Sequence, residues 1–223
     1  MQFNNELEHS FKAAEKEFKE EPMKQFYENK IAGYPSRLRV KKILKELGNI
    51  KDKKIIDIGC EAGHIALKIL EKNPADLYAI DIIEDALKEF KKKLANKKYP
   101  ANIIIKKAPL QKIPFKSDLF DVAVCTEVIE HAPELDKGFS EISRILKKGG
   151  KLILTFPNER LRKLTYPIIK FFGINTDVEK EVTLFEHNPK DIIKKLEKYF
   201  TIKKFQRFPF FFPITNFIVC EKK

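Results

Sequence analysis

The chain has 223 residues and a net charge of +12, and 43% of its residues are hydrophobic. Its length excludes a small domain that needs disulfides to fold, and its three dispersed cysteines exclude a disulfide framework and favour a reducing, cytoplasmic location. No run of 18 apolar residues occurs, so no membrane-spanning helix is predicted, and the first residues do not resemble a signal peptide.

Helices and strands alternate along most of the chain. Residues 1–48 are predicted to form an N-terminal helical cap, in which a regular helix at 36–47 follows Pro35 and ends at Gly48. Helices are also predicted at 63–72, 84–97 and 135–147. The strands predicted around these helices are Lys54–Ile58, Leu77–Asp81, Ile103–Ile105, Phe120–Cys125 and Lys151–Phe156. This pattern predicts a doubly wound, Rossmann-like α/β fold with a mostly parallel sheet and helices on both faces.

The last third of the chain departs from this alternation. Residues 158–187 are predicted to form an apolar insertion or lid, and residues 188–199 a helix. Two β-like runs that predict a C-terminal antiparallel hairpin at the sheet edge are Thr201–Phe208 and Ile214–Cys220. With a ligand-binding core at 49–157 and no linker or repeat, residues 1–223 are predicted to form one domain.

A glycine-containing turn follows the first predicted strand. In the run 57–63, Gly59 and Gly63 allow a ligand to approach the backbone N–H groups at the start of the next helix. Asp81 ends the second strand about 20 residues later, where a carboxylate binds the two hydroxyls of a ribose. Glu61 stands where a dinucleotide fold requires glycine, and its charge disfavours a pyrophosphate. The pattern favours a ligand with adenosine but no phosphate, such as S-adenosylmethionine (SAM).

Three acid–base side chains follow the fourth predicted strand. Glu127, Glu130 and His131 stand at i, i+3 and i+4, which brings them to one face if the segment is helical. Two carboxylates and an imidazole beside a methyl donor predict either a divalent metal site or a general base that acts on the acceptor. Packing at a strand-to-helix turn explains the same residues equally well.

Over about residues 35–157, these motifs resemble those of the class I SAM-dependent methyltransferases. The resemblance implies SAM as the cofactor, with Asp81 on its ribose and Ile82 on its adenine. Pro109 departs from the family pattern, because an acidic residue often stands there and binds the adenine amino group. The cofactor-binding residues that follow from the resemblance are Arg37, Asp57, Gly59, Cys60, Gly63, Asp81, Ile82, Pro109, Leu110 and Cys125.

Two branches of this family share further motifs with the chain. The run from Cys125 to Pro133 resembles the ubiquinone-biosynthesis O-methyltransferases, and the stretch at 35–38 resembles one in which their arginine contacts the SAM carboxylate, which is the role implied for Arg37. In small-RNA 3′-terminal 2′-O-methyltransferases, two glutamates and two histidines hold Mg²⁺. Both branches place another histidine after the fifth strand. The metal ligands implied are Glu127, Glu130, His131 and His187, and the first three are also the catalytic candidates.

The acceptor is predicted from the apolar runs and the charge. Residues 160–173 and 208–213 predict an apolar acceptor pocket, a contact with an anionic membrane surface, or a lid that packs on the core. The lysines of the predicted helix 84–97 either follow a nucleic-acid backbone or, more often, form a solvated face. The leading expectation is methyl transfer to a hydroxyl oxygen of a small or lipid-like, quinone-type molecule. The alternatives are an RNA 2′-O-methyltransferase with a bound cation and a SAM-binding regulator without catalysis.

Overall fold

A computed structural model of the chain describes residues 33–95, 97–161, 163–164, 187–209 and 213–223, together with residues 8, 12, 15, 16, 18 and 19. Most of the predicted cap before residue 33 lies outside the described residues. The same holds for most of the predicted lid at 158–187 and for the centre of the aromatic run at 208–213.

The described helices and strands follow the predicted order. Every predicted strand of the core is confirmed, although β5 begins earlier than expected because its pairing with β4 resumes at Phe120 and Leu146 across a register shift. The bounds are α1 Tyr34–Leu47, β1 Lys54–Ile58, α2 His64–Leu70, β2 Asp76–Asp81, α3 Glu84–Ala95, β3 Asn102–Lys107, β4 Phe120–Thr126, a 3₁₀ turn at Ile129–His131, α4 Leu135–Ile145, β5 Leu146–Pro157, α5 Pro189–Leu196, β6 Phe200–Phe208 and β7 Thr215–Lys222.

The strands form a seven-stranded sheet in the order β3-β2-β1-β4-β5-β7-β6. Strands β1 to β5 pair in parallel, whereas β7 lies antiparallel between β5 and β6. This arrangement confirms the predicted doubly wound sheet and its C-terminal antiparallel hairpin. The strand order reverses between β1 and β4, and ligands of such sheets bind at that point, outside the carboxyl ends of the strands.

Apolar side chains cover both faces of the sheet. One buried cluster packs α1, α2 and α3 on the first face and includes Ile43, Ile69 and Phe90. The other packs α4 and α5 on the second face and includes Phe139 and Leu196. Strands buried on both faces explain the near-continuous apolar runs in the sequence. No helix within the described ranges has both the length and the apolar character that crossing a membrane requires.

Candidate active site

The turn after β1 uses a backbone conformation that favours glycine at two positions. Gly59 has φ +72° and Gly63 has φ +79°. A Cβ atom on Gly63 would lie 2.0 Å from the Phe90 ring, and one on Gly59 would lie 2.2 Å from a methyl group of Val128. Conformation and close packing therefore both require glycine here, and they fix the turn against α3 and against the segment that follows β4.

Asp81 ends β2 and faces this turn. Its Oδ2 accepts a hydrogen bond from the Glu61 N–H at 2.7 Å, and its Oδ1 accepts one from the Ile83 N–H at 2.9 Å. Burial raises the pKa of Asp81, and these N–H groups partly oppose the rise. The two bonds hold the carboxylate at the edge where the turn meets β2. This is the position that its predicted role on a ribose requires, and that role stays a prediction.

Asp57 lies fully buried in β1, below the turn. Neither carboxylate oxygen has a hydrogen-bond partner among the described residues, although the Ala66 N–H lowers the pKa slightly. Burial and the charge of Asp81 raise the pKa of Asp57 to about 7. A buried carboxylate that has few hydrogen bonds to offset the loss of water favours a cationic ligand group beside it. The ammonium and sulfonium groups of SAM carry such charges, so these residues fit the implied cofactor.

The raised pKa of Asp57 predicts an unusual pH dependence of stability. A carboxyl group whose pKa is higher in the folded protein contributes stability that is complete below its unfolded pKa, near 3.8, and lost as the pH rises through about 7. We expect Asp57→Asn to raise the ligand-free melting temperature at pH 8 by roughly 5 °C relative to the wild type, and by much less at pH 5. Thermal unfolding at the two pH values measures the difference.

Asp121 provides the matched control for this prediction. Its Oδ1 lies 2.8 Å from the Lys147 ammonium, and its Oδ2 accepts from the Lys54 N–H at 2.8 Å. Burial opposes these contacts, but they lower its pKa overall. Asp121→Asn should therefore lower the melting temperature at pH 8. An Asp57→Asn shift that is the same at pH 5 and pH 8 would contradict the ionisation of Asp57 near neutrality.

Glu127 follows β4 and is held by contacts from two other elements. Its backbone is left-handed, with φ +53°, a conformation that is costly for a bulky residue and that often occurs at functional sites. Its Oε1 accepts from the Thr155 hydroxyl at 2.9 Å, and its Oε2 lies 3.2 Å from a guanidinium nitrogen of Arg39. This Arg39–Glu127–Thr155 cluster fixes a carboxylate at the carboxyl end of β4, across β1 from Asp81.

The arginine beside Glu127 is Arg39. The family resemblance had instead implied a cofactor contact for Arg37. Arg37 is exposed, because residues two apart on a helix differ by about 200° around its axis. Arg39 shares the buried face of α1 with Ser36, Ile43 and Leu47, and it is only 7% exposed. The spacing of these four residues was the signal in the sequence that could have identified Arg39. Arg39 is therefore a second candidate for a contact with the SAM carboxylate, and the role implied for Arg37 stays a prediction.

The other residues of the acidic–histidine motif lie in the 3₁₀ turn after β4. Glu130 is 2% exposed and His131 is half-buried. His131 lies close enough to Asp81 to oppose slightly the rise in the pKa of Asp81. Glu127 precedes this turn and has left-handed dihedral angles. The expectation that Glu127, Glu130 and His131 share one helical face is therefore wrong for Glu127.

His187 lies beside the same turn, but it does not complete a metal site. Its Nε2 is 2.9 Å from the Ile129 carbonyl oxygen, and burial lowers its pKa. Glu127 is already paired with Arg39. Within the described part of the chain, no group of three or more histidine, cysteine, aspartate or glutamate side chains is arranged to hold a metal ion. The predicted ligands Glu127, Glu130, His131 and His187 are therefore not arranged as a divalent-cation site.

The remaining predicted cofactor residues lie at this edge of the sheet or beneath it. Ile82 and Pro109 are half-buried just beyond the ends of β2 and β3, on the Asp81 side of the turn. Leu110 and Cys60 are buried, and Cys125 lies within the core cluster that covers the second face. Burial raises the pKa of both thiols, as expected for core side chains. Their contacts with a cofactor stay predictions.

Comparison with known proteins decides the family. The methyltransferase domain model matches residues 49–203. The chain belongs to the methyltransferase domain family. It is 39% identical to an uncharacterized protein of Methanocaldococcus jannaschii, over 52% of this chain and 46% of that protein. It is 31% identical to a ubiquinone/menaquinone biosynthesis C-methyltransferase of Geobacter sulfurreducens, over 51% of this chain and 46% of that enzyme.

Solved structures share the fold of this methyltransferase. A SAM-dependent methyltransferase of Aquifex aeolicus is similar over 85% of this chain and 94% of that chain, with a TM-score of 0.67 and 18% identity. The chain spans about half the length of the curated relatives that it matches. Together with the glycine turn and the acidic residues around it, the family identifies a SAM-dependent methyltransferase. The class of reaction that the motifs implied is thereby confirmed, and the family implies SAM as the methyl donor.

Proposed function

We propose that this methyltransferase acts on a small, lipid-like aromatic acceptor that carries a hydroxyl group, as a quinol does. The observation that carries the proposal is the fixed carboxylate of Glu127, which lies across β1 from Asp81 at the edge where cofactors of this fold bind. The relationship to a ubiquinone/menaquinone biosynthesis C-methyltransferase supports the acceptor class. It also favours transfer to a ring carbon over the hydroxyl oxygen expected from the sequence.

The residues of the cluster suit the proton transfer that such a reaction needs. When bound, SAM supplies a methyl group made electrophilic by the sulfonium. Glu127 accepts the proton of the acceptor hydroxyl, and the resulting oxyanion donates electron density into the ring. Transfer of the methyl group to a neighbouring ring carbon would release S-adenosylhomocysteine, the ring proton would pass to solvent, and Glu127 would return the first proton to the ring oxygen. Thr155 and Arg39 keep the carboxylate oriented for this step.

Exposed apolar and basic side chains at the start of α1 and shortly after β5 support a lipid-like acceptor. Leu164, shortly after β5, is 62% exposed, and Tyr34, at the start of α1, is 54% exposed. Arg37, Arg160 and Lys163 are exposed beside them in sequence. Apolar side chains flanked by cations are typical of surfaces that contact anionic lipid. Contact through 160–173 and 208–213 remains part of the proposal, and most of these residues lie outside the described ranges.

Analysis of the methylated product tests the proposal. The enzyme is incubated with methyl-labelled SAM and a prenylated hydroquinone that lacks one ring methyl group, and mass fragmentation locates the label. We expect the label on a ring carbon. Glu127→Gln should reduce the rate by about 100-fold or more, because it removes the general base. Label on the hydroxyl oxygen would overturn carbon transfer, and label in the 3′-terminal ribose of RNA alone would overturn the acceptor class.

A further inference from the structure

Arg39 lies between the two halves of the site. Its guanidinium is 3.2 Å from Glu127 at the end of β4. Burial, and next the charge of Arg39, lower the pKa of His64, the residue that begins α2 directly after the glycine turn. Arg39 is therefore a buried cation that pairs with the carboxylate of Glu127. Its charge also acts on His64, at the end of the glycine turn.

The amino-acid end of the cofactor requires a cation in this region. The sheet order β2-β1-β4 means that a ligand with its ribose at Asp81 extends over the glycine turn toward the end of β4. The amino-acid end of SAM carries a carboxylate, whereas Asp57, Asp81 and Glu127 are themselves acidic. Among the arginines in the described ranges, Arg39 is the buried one. A guanidinium pairs with a carboxylate through a planar fork, so two carboxylates beside it compete for the same donors.

We propose that Arg39 is a positioning residue shared by two carboxylates. It pairs with Glu127 when the cofactor is absent, and it turns to the carboxylate of the cofactor when SAM binds. Glu127 then stays oriented by Thr155 and becomes available to the acceptor hydroxyl. Cofactor binding thus prepares the base, which predicts that the cofactor binds before the acceptor. This inference rests on the proposed function, because it assigns Glu127 to the acceptor.

The exchange of Arg39 between Glu127 and the cofactor predicts how the cofactor affinity changes when the Glu127 charge is removed. The predicted change is opposite in sign to that expected for a purely structural ion pair. If Glu127 competes with the cofactor for Arg39, removal of the Glu127 charge strengthens cofactor binding. If the pair only holds α1 against the sheet, the same change leaves cofactor binding unchanged or weakens it. The sign of one measured affinity change therefore separates the two accounts, and it does so without an acceptor or any turnover.

Isothermal titration with two ligands provides the test. S-adenosylhomocysteine carries the amino-acid carboxylate, whereas 5′-methylthioadenosine has the same nucleoside and lacks the amino acid. For S-adenosylhomocysteine, we expect Glu127→Gln to bind about 3- to 10-fold more tightly than the wild type, and Arg39→Gln about 10- to 100-fold more weakly. In the double variant the gain from Glu127→Gln should disappear. All four proteins should bind 5′-methylthioadenosine within about twofold of one another.

The ratio of the two affinities is read on each protein, so it remains valid when a variant is less stable. Arg39→Lys, which keeps the charge and loses the fork, should give an intermediate ratio. Weaker or unchanged S-adenosylhomocysteine binding by Glu127→Gln would overturn the exchange and leave the proposed function in place. Failure of the wild type to bind S-adenosylhomocysteine would instead overturn the proposed function, and the exchange with it.

Discussion

Gly63→Ala should destabilise the protein more than any other single methyl addition in the glycine turn after β1. The left-handed φ of +79° costs an L-residue about 1–2 kcal/mol. The added Cβ would also lie 2.0 Å from the ring of Phe90, which is completely buried and has no room to retreat. Overpacking of this kind costs a further 1–3 kcal/mol, roughly. We therefore expect a loss of about 2–5 kcal/mol in the free energy of unfolding, measured by urea denaturation.

Gly149→Ala is the matched control. Gly149 has a similar φ of +73°, but a Cβ atom there would have no neighbour within 4 Å. Gly149→Ala should therefore lose only the conformational part of the stability, about 1–2 kcal/mol. Equal losses in the two variants would show that the Phe90 contact does not restrict the turn. In a double-mutant cycle, Gly63→Ala should cost less in a Phe90→Leu background than in the wild type, because the clash is absent there and only the strained dihedral angle remains.

Asp81→Ala should abolish most of the cofactor affinity. The carboxylate is fixed by the N–H groups of Glu61 and Ile83 at the edge beside the glycine turn. Two hydrogen bonds from ribose hydroxyls to a carboxylate contribute about 3 kcal/mol or more, so affinity for S-adenosylhomocysteine should fall by about 100-fold or more. Isothermal titration measures the loss, and the melting temperature of the variant shows whether it remains folded.

Two controls separate the loss of ribose contacts from a general effect of charge. Asp85 is an exposed carboxylate in the first turn of α3 and pairs with Lys88 at 2.9 Å. Asp85→Asn should leave the affinity within about twofold of the wild type, since exposed pairs contribute little. A 2′,3′-dideoxy analogue of S-adenosylhomocysteine should bind wild type and Asp81→Ala about equally. Wild-type affinity in Asp81→Ala would remove Asp81 from the cofactor site.

Ion pairs along α3 balance part of the positive charge of its lysines. Lys88 pairs with Asp85, and Lys93 pairs with Glu89, each at 2.9 Å along the helix. These contacts support the solvated-face explanation of the lysine-rich run.

The elements of this fold were predictable because burial leaves a pattern in the sequence. The bounds of β1 agree with the prediction residue for residue, and the position of Asp81 at the end of β2 follows from the same apolar runs. Both strands are buried on two faces, so their apolar stretches are bounded sharply by polar residues. The start of β5 was not predictable, because it depends on a register shift opposite Phe120 and not on local composition.

The geometry of the site was less predictable, because it depends on contacts between distant parts of the chain. Glu127 takes a left-handed conformation at a strand end, which the spacing of its motif does not reveal. Its partners Thr155 and Arg39 come from β5 and α1. Thr155 stands inside an apolar run and gives no signal of its own. Only the periodicity of α1 separates Arg39 from Arg37, and that signal favours the buried position.

The most direct test of the central claim is an unbiased transfer of label from SAM. The enzyme is incubated with methyl-labelled SAM and separated lipid and RNA fractions from its source organism, with Asp81→Ala and Glu127→Gln as controls. We predict label in the lipid fraction, extractable into organic solvent, and its loss in both variants. Label that stays with SAM despite tight binding of S-adenosylhomocysteine, or that appears only in RNA, would contradict the account.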